Sequence, residues 1–125
     1  MESRRAERLS EALRQELAEL IEYELEDPRL AGTTVTEAHL SPDGRHTLVT
    51  VAVRGDAKAR KQALEALEHA ASYLRRVVAG RLRLFRAPEI HFEEAGAGGA
   101  NRIAELLDRI RKNREKTEKK AGNQP

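Results

Sequence analysis

The hydrophobic period of this chain changes from helical to alternating and back again, and the order of those changes constrains the fold more than any other feature. From Ser3 to Glu26 the apolar positions Leu9, Leu13, Leu17, Leu20, Ile21 and Leu25 recur at three- and four-residue steps, which gives one apolar helical face. Asp27-Pro28 ends that helix, because proline disfavours the helical region for the residue before it. Thr33 to Leu40 and His46 to Val53 are rich in Thr and Val and read as strands. In the second, Thr47, Val49, Val51 and Val53 share one face, and Leu48, Thr50 and Ala52 the other. Ser41-Pro42-Asp43-Gly44 has turn chemistry, so the two strands should pair as an antiparallel hairpin.

Helical spacing returns from Ala57 to Gly80 through Ala63, Leu64, Leu67, Ala70, Ala71, Leu74, Val77 and Val78. A kink is expected at Ala70-Ala71-Ser72, where small side chains admit a neighbouring element and a serine hydroxyl competes for backbone hydrogen bonds. Beyond Pro88, Glu89 to Glu93 reads as a third strand; because it follows a helical crossover, parallel pairing is open to it. Asn101 to Arg111 carries Ile103, Leu106, Leu107 and Ile110 and reads as a last helix. Lys112 to Pro125 has no large apolar residue and is expected to be disordered. The fold class is therefore α+β, with one domain over residues 1–111 and a basic tail over 112–125. Leu13, Leu17, Val51, Leu67 and Ile90 should meet in its core.

A chain of 125 residues suits one such domain. No stretch approaches the ~18 apolar residues of a membrane span, and the charged start Met1-Glu2-Ser3-Arg4-Arg5 is unlike a signal peptide, so a cytoplasmic protein is expected. The absence of cysteine excludes disulfides, thiolate metal sites and cysteine nucleophiles. Among His39, His46, His69 and His91 no metal-binding spacing occurs; His39 and His46 could face each other across the hairpin as a surface pair, and neither a metal nor a cofactor is expected. Glu19, Glu22 and Glu26 share a helical face that reads as solvated. Ser3, Ser10, Ser41 and Ser72 lie in no nucleophile elbow, and nothing supports catalysis. Gly96-Ala97-Gly98-Gly99 has the spacing of a KH-domain RNA clamp but follows a strand, where that clamp joins two helices, so it reads as a linker.

The net charge is only +2, but it is unevenly spread. The first helix is acidic. Arg75, Arg76, Arg81, Arg83 and Arg86 form a run without any acid; Arg54, Lys58, Arg60 and Lys61 form a second cluster; Arg109, Arg111, Lys112 and Arg114 lead into a tail with Lys116, Lys119 and Lys120. Clustered bases of this kind are the footprint of nucleic-acid binding, and arginine grips phosphate bidentately. With Tyr23, Tyr73, Phe85 and Phe92 as the only aromatics, recognition through backbone and shape fits better than an aromatic platform. The alternative is a protein-interaction module that docks its acidic first helix on a basic partner.

Several short segments carry a family likeness: Arg4-Arg5-x-x-Arg8-Leu9, Glu26-Asp27-Pro28-Arg29-Leu30, Val35-Thr36, Leu40-Ser41-x-Asp43, Leu74-Arg75 and Pro88-Glu89-Ile90-x-Phe92. Together, over about residues 4 to 110, they resemble ribosome-binding factor A. The resemblance implies a type II KH-like domain (helix, two strands, kinked helix pair, strand) with an extra C-terminal helix. It further implies a monomeric, non-enzymatic factor that binds the free small ribosomal subunit and its ribosomal RNA and assists late maturation and processing, especially in the cold. Under the alternative reading, the partner would be a basic ribosomal protein or an assembly GTPase. The family's Ala-x-Gly interhelical kink falls on Ala70-Ala71-Ser72, with serine in place of glycine; Gly44 and Glu94 depart from the usual leucine and aspartate.

Overall fold

The computed structural model describes residues 2–96 and 102–122. Helix α1 (Glu2–Glu19) runs into a π-helical turn (Leu20–Glu24), closed by the Leu25 amide donating to the Leu20 carbonyl at 2.8 Å. Leu20 and Ile21, adjacent in sequence, are both buried. Asp27 then caps a 3-10 turn (Pro28–Leu30), its carboxylate accepting from the Arg29 amide at 3.0 Å. Strands β1 (Thr33–Leu40) and β2 (His46–Val53), helix α2 (Ala57–Arg81), strand β3 (Glu89–Glu94) and helix α3 (Arg102–Gly122) follow. Asp56 starts α2 by accepting from the Ala59 amide at 2.8 Å.

The sheet order is β1-β2-β3, antiparallel between β1 and β2 and parallel between β2 and β3. The hairpin and the parallel crossover thus form as their spacing predicts. The turn between β1 and β2 is tightly bonded: the Ser41 hydroxyl donates to Asp43 at 2.6 Å and accepts from the His46 amide at 3.1 Å. The Ser41 hydroxyl first, and then the Arg45 amide donating to the same carboxylate at 3.0 Å, hold the Asp43 carboxyl below its usual range. Gly44 stands in this turn at φ +73°, a left-handed conformation in which leucine would be strained.

Helix α1 packs on β1 and α2 on β3. Two amides of the edge strand β1 take side-chain acceptors from the first helical segment: Leu40 donates to the Ser10 hydroxyl at 3.0 Å and Val35 to the Glu22 carboxylate at 3.3 Å. Glu22 is therefore not part of a purely solvated acidic face. The inner side of the sheet meets both helices in one cluster that includes Leu13, Leu17, Val51, Leu67 and Ile90, all five of the expected core positions. The central strand is buried from His46 to Val51 on both faces. Leu48 and, from α3, Leu106 are buried outside that cluster, and the charge of Arg109 acts on His91, which puts α3 over the outer face.

Three expectations need correction. α2 passes through Ala70-Ala71-Ser72 as one helix of 25 residues in place of a helix pair, and Ser72 is not at positive φ. Alanine is the strongest helix former, and a serine has no cheap access to the left-handed backbone that a glycine would supply. The last helix does not stop at Arg111 but continues to Gly122, in place of the disorder expected from Lys112 onward. Lys, Arg and Glu sustain a helix without an apolar face, and Asp108 pairs with Arg111 at 2.8 Å and Lys112 at 3.2 Å, one turn on. Thirdly, His39 faces Leu48 across the hairpin and not His46, whose ring meets His91 of β3. The Gly96-Ala97-Gly98-Gly99 run, apart from Gly96, lies outside the described residues.

Candidate nucleic-acid interface

The end of α2 is built by residues whose roles alternate. Leu82 caps the helix, Arg83 follows at φ 52°, and the Leu84 amide reaches back to the Ala79 carbonyl at 2.9 Å while the Arg83 amide reaches the Gly80 carbonyl at 3.3 Å. This is a Schellman closure, in which the left-handed residue is usually glycine. Arg83 is the only non-glycine residue at positive φ among those described. Leu82 and Leu84 turn inward against the core, which leaves Arg83, Phe85 and Arg86 exposed, Phe85 completely so. Arg76 stands seven residues before Arg83, close to two helical turns, and its side chain also reaches the surface.

The basic residues singled out in the sequence separate into two kinds. Some are held by the fold. Arg75 donates through Nε and Nη2 to the Ala87 carbonyl at 3.1 and 2.8 Å, bracing the loop before β3. Arg81 clasps both oxygens of Glu24 at 2.7 and 2.8 Å and reaches Glu16 at 3.4 Å, fastening the end of α2 to the first helical segment. That pair raises the Arg81 pKa and, chiefly through its hydrogen bonds, pulls the Glu24 carboxyl below its usual range. Arg60 pairs with Glu94 at 3.1 Å, and Arg111 and Lys112 with Asp108.

The others reach solvent and carry no acidic partner among the described residues: Arg54, Lys58 and Lys61 near the start of α2, Arg76, Arg83 and Arg86 at its end, and Arg109 and Arg114 on α3. Side chains beyond Arg114 lie outside the described residues. An open groove of about 430 Å³ between α2 and the end of β3 is lined by Arg60 and Lys61 but also by Glu65, Glu68 and Glu94, and this mixed charge does not suit a polyanion. At the end of α2 the bases without an acidic partner among the described residues are Arg76, Arg83 and Arg86, with Phe85 exposed between the last two. Phe85 reads as an isolated aromatic in the sequence; its neighbours were the missed signal, since inward Leu82 and Leu84 alternate with outward Arg83 and Phe85.

The sequence model described as Ribosome-binding factor A matches residues 5–112. Curated ribosome-binding factor A proteins from Solibacter usitatus (46% identical; 94% of this chain, 97% of that protein) and Thermomicrobium roseum (40%; 100% and 98%) align over essentially their full lengths. The crystal structure of ribosome-binding factor A from Thermus thermophilus superposes with a TM-score of 0.67 at 35% identity, covering 75% of this chain and 99% of that one. A homology model of the Thermus thermophilus factor, fitted into the cryo-EM map of a 30S–RbfA complex, matches with a TM-score of 0.56 at 36% identity, covering 76% and 96%.

Proposed function

We infer the function from one premise: this chain belongs to the ribosome-binding factor A family, whose pattern spans residues 5–112. It binds the small ribosomal subunit and takes part in its maturation, and it is a binding factor with no catalytic step. Full-length alignment with curated members is the observation that carries this conclusion. Among the described residues no helix is long and apolar enough to cross a membrane.

On this reading the protein acts in the cytoplasm as a monomer, on the free subunit late in processing of its RNA. Residues 1–111 form the binding domain, and 112–125 a basic extension. Arg76, Arg83 and Arg86 contact ribosomal RNA phosphates, with Phe85 placed to stack on a base; Arg54, Lys58 and Lys61, toward the opposite end of α2, and Arg109 and Arg114 on α3 offer further phosphate contacts. Arg60, Arg75, Arg81, Arg111 and Lys112 serve the fold first, because a phosphate would have to displace a partner each already holds. The rival surface, the acidic first helix, is weakened in the same way, since Glu16, Glu22 and Glu24 are engaged internally.

Arg83 supports the assignment because a left-handed arginine costs stability where glycine would not, and such strain persists where the side chain is used. Arg83→Gly is expected to stabilise the fold by about 1 kcal/mol in a denaturant melt while weakening binding to small subunits. A variant that is more stable and binds equally well would remove Arg83 from the interface. The function itself is tested by sedimenting the protein with purified small subunits and with intact 70S ribosomes. Co-sedimentation with the free subunit and not with the 70S particle is expected; equal association with both would contradict a role in maturation of the free subunit.

A further inference from the structure

On the face of the sheet away from the main core, three side chains from two strands converge on one point. The parallel register sets His46 opposite Glu89 and Leu48 opposite His91, so that His46, Glu89 and His91 project from the same side. His46 Nδ1 lies 3.2 Å from His91 Nε2 and 3.2 Å from a Glu89 carboxylate oxygen, and that oxygen lies 3.6 Å from His91 Nε2. Protons on His46 Nδ1 and His91 Nε2 can both be donated to the one Glu89 oxygen, but that leaves the two N–H groups facing each other across 3.2 Å. A cation at its centre satisfies all three.

The size of the triangle is compatible with a small divalent ion. Bonds of ~2.0–2.1 Å hold tetrahedral donors about 3.3 Å apart, whereas an octahedral ion with the same bonds holds neighbouring donors about 2.9 Å apart. The edges of 3.2, 3.2 and 3.6 Å lie close to the tetrahedral spacing, and the donor set carries the choice: two imidazoles with one carboxylate are borderline ligands of the kind zinc takes. We propose that His46, Glu89 and His91 form a divalent metal site of the zinc class on the outer face of the sheet. His46 is 4% exposed and sits as the rigid base of the site, while Glu89 and His91 are part-exposed and give an ion its way in. Water completes the fourth position. Arg109 of α3 is the cation that acts on His91, and Glu93, farther along the same face of β3, is the next acid on that strand. Bound metal would pin the third strand to the central one where β3 begins, directly after the loop that carries Arg83, Phe85 and Arg86.

The test uses the full, tag-free chain, stripped of metal and titrated with Zn2+ against a chromophoric chelator. One ion per chain is expected, with binding weakened tenfold or more by His91→Ala and by Glu89→Gln and unchanged by His39→Ala, a histidine on the same face outside the triangle. Zn2+ should raise the melting temperature of the parent chain and not that of Glu89→Gln. Because Glu89 is part-exposed, that variant keeps the test decisive even if His91→Ala fails to fold. Co2+ should give the intense visible bands of a four-coordinate ion. No saturable one-to-one binding, binding indifferent to Glu89→Gln, or the weak spectrum of six-coordinate cobalt would overturn the site.

Discussion

Leu17→Ala is expected to lower the unfolding free energy by roughly 2–5 kcal/mol, since it removes a side chain with no solvent exposure from the cluster where α1 meets the sheet. For a domain whose whole stability is of order 5–15 kcal/mol, that is a large fraction. The melting temperature should fall by roughly 10 °C or more. The cavity would open in a cluster whose members come from α1, its π-helical continuation, the sheet and α2, elements that cannot all close on it at once. Phe85→Ala makes the contrast: it deletes a larger apolar side chain, yet one fully in solvent, and should change stability by less than about 0.5 kcal/mol. A Leu17→Ala loss below that same half kcal/mol would mean that α1 buries a different face.

The strands were legible because their signals are local. Thr33–Leu40 and His46–Val53 fall where β-branched alternation and the Ser41-Pro42-Asp43-Gly44 turn place them, and the period of two puts Val49 and Val51 on the core side of β2, although both faces of that strand are buried. Positions that depend on distant partners were not legible. Nothing near Arg81 announces that Glu24, 57 residues earlier, will hold its guanidinium, so a held arginine and a free one such as Arg76 look alike in the sequence. The meeting of His46 with His91 depends on the parallel register between strands 45 residues apart, a property of the crossover and not of either segment. The unbroken α2 reflects a different limit. Small residues at Ala70-Ala71-Ser72 are compatible with a kink and equally good at continuing a helix, and packing decides between them. In α3 the missing apolar face was the misleading feature, since helix propensity and ion pairs to Asp108 carry the helix beyond the last buried residue.

The division of the arginines into held and free is what turns a charged surface into an account of binding. Arg76, Arg83 and Arg86 are exposed at the end of α2 and hold no acidic partner among the described residues, so each is available to displace a counterion from RNA. Changing all three to Gln removes the charge and keeps most of the side-chain length, and glutamine at position 83 keeps the left-handed strain, so stability should hardly move. Arg81→Gln is the counterpart: it breaks the clasp on Glu24 and Glu16 and should lower the melting temperature while leaving the electrostatics of binding intact.

The decisive measurement is therefore the salt dependence of binding to purified small ribosomal subunits, compared among the parent chain, the Arg76→Gln/Arg83→Gln/Arg86→Gln variant and Arg81→Gln. Each phosphate neutralised contributes ~0.7–0.9 to the log–log slope, so the slope of the triple variant should be shallower by about 2 to 3, with weaker binding at every salt concentration, and Arg81→Gln should keep the parent slope. A triple variant with the parent's slope and affinity would contradict the account and place the subunit contact elsewhere on the molecule.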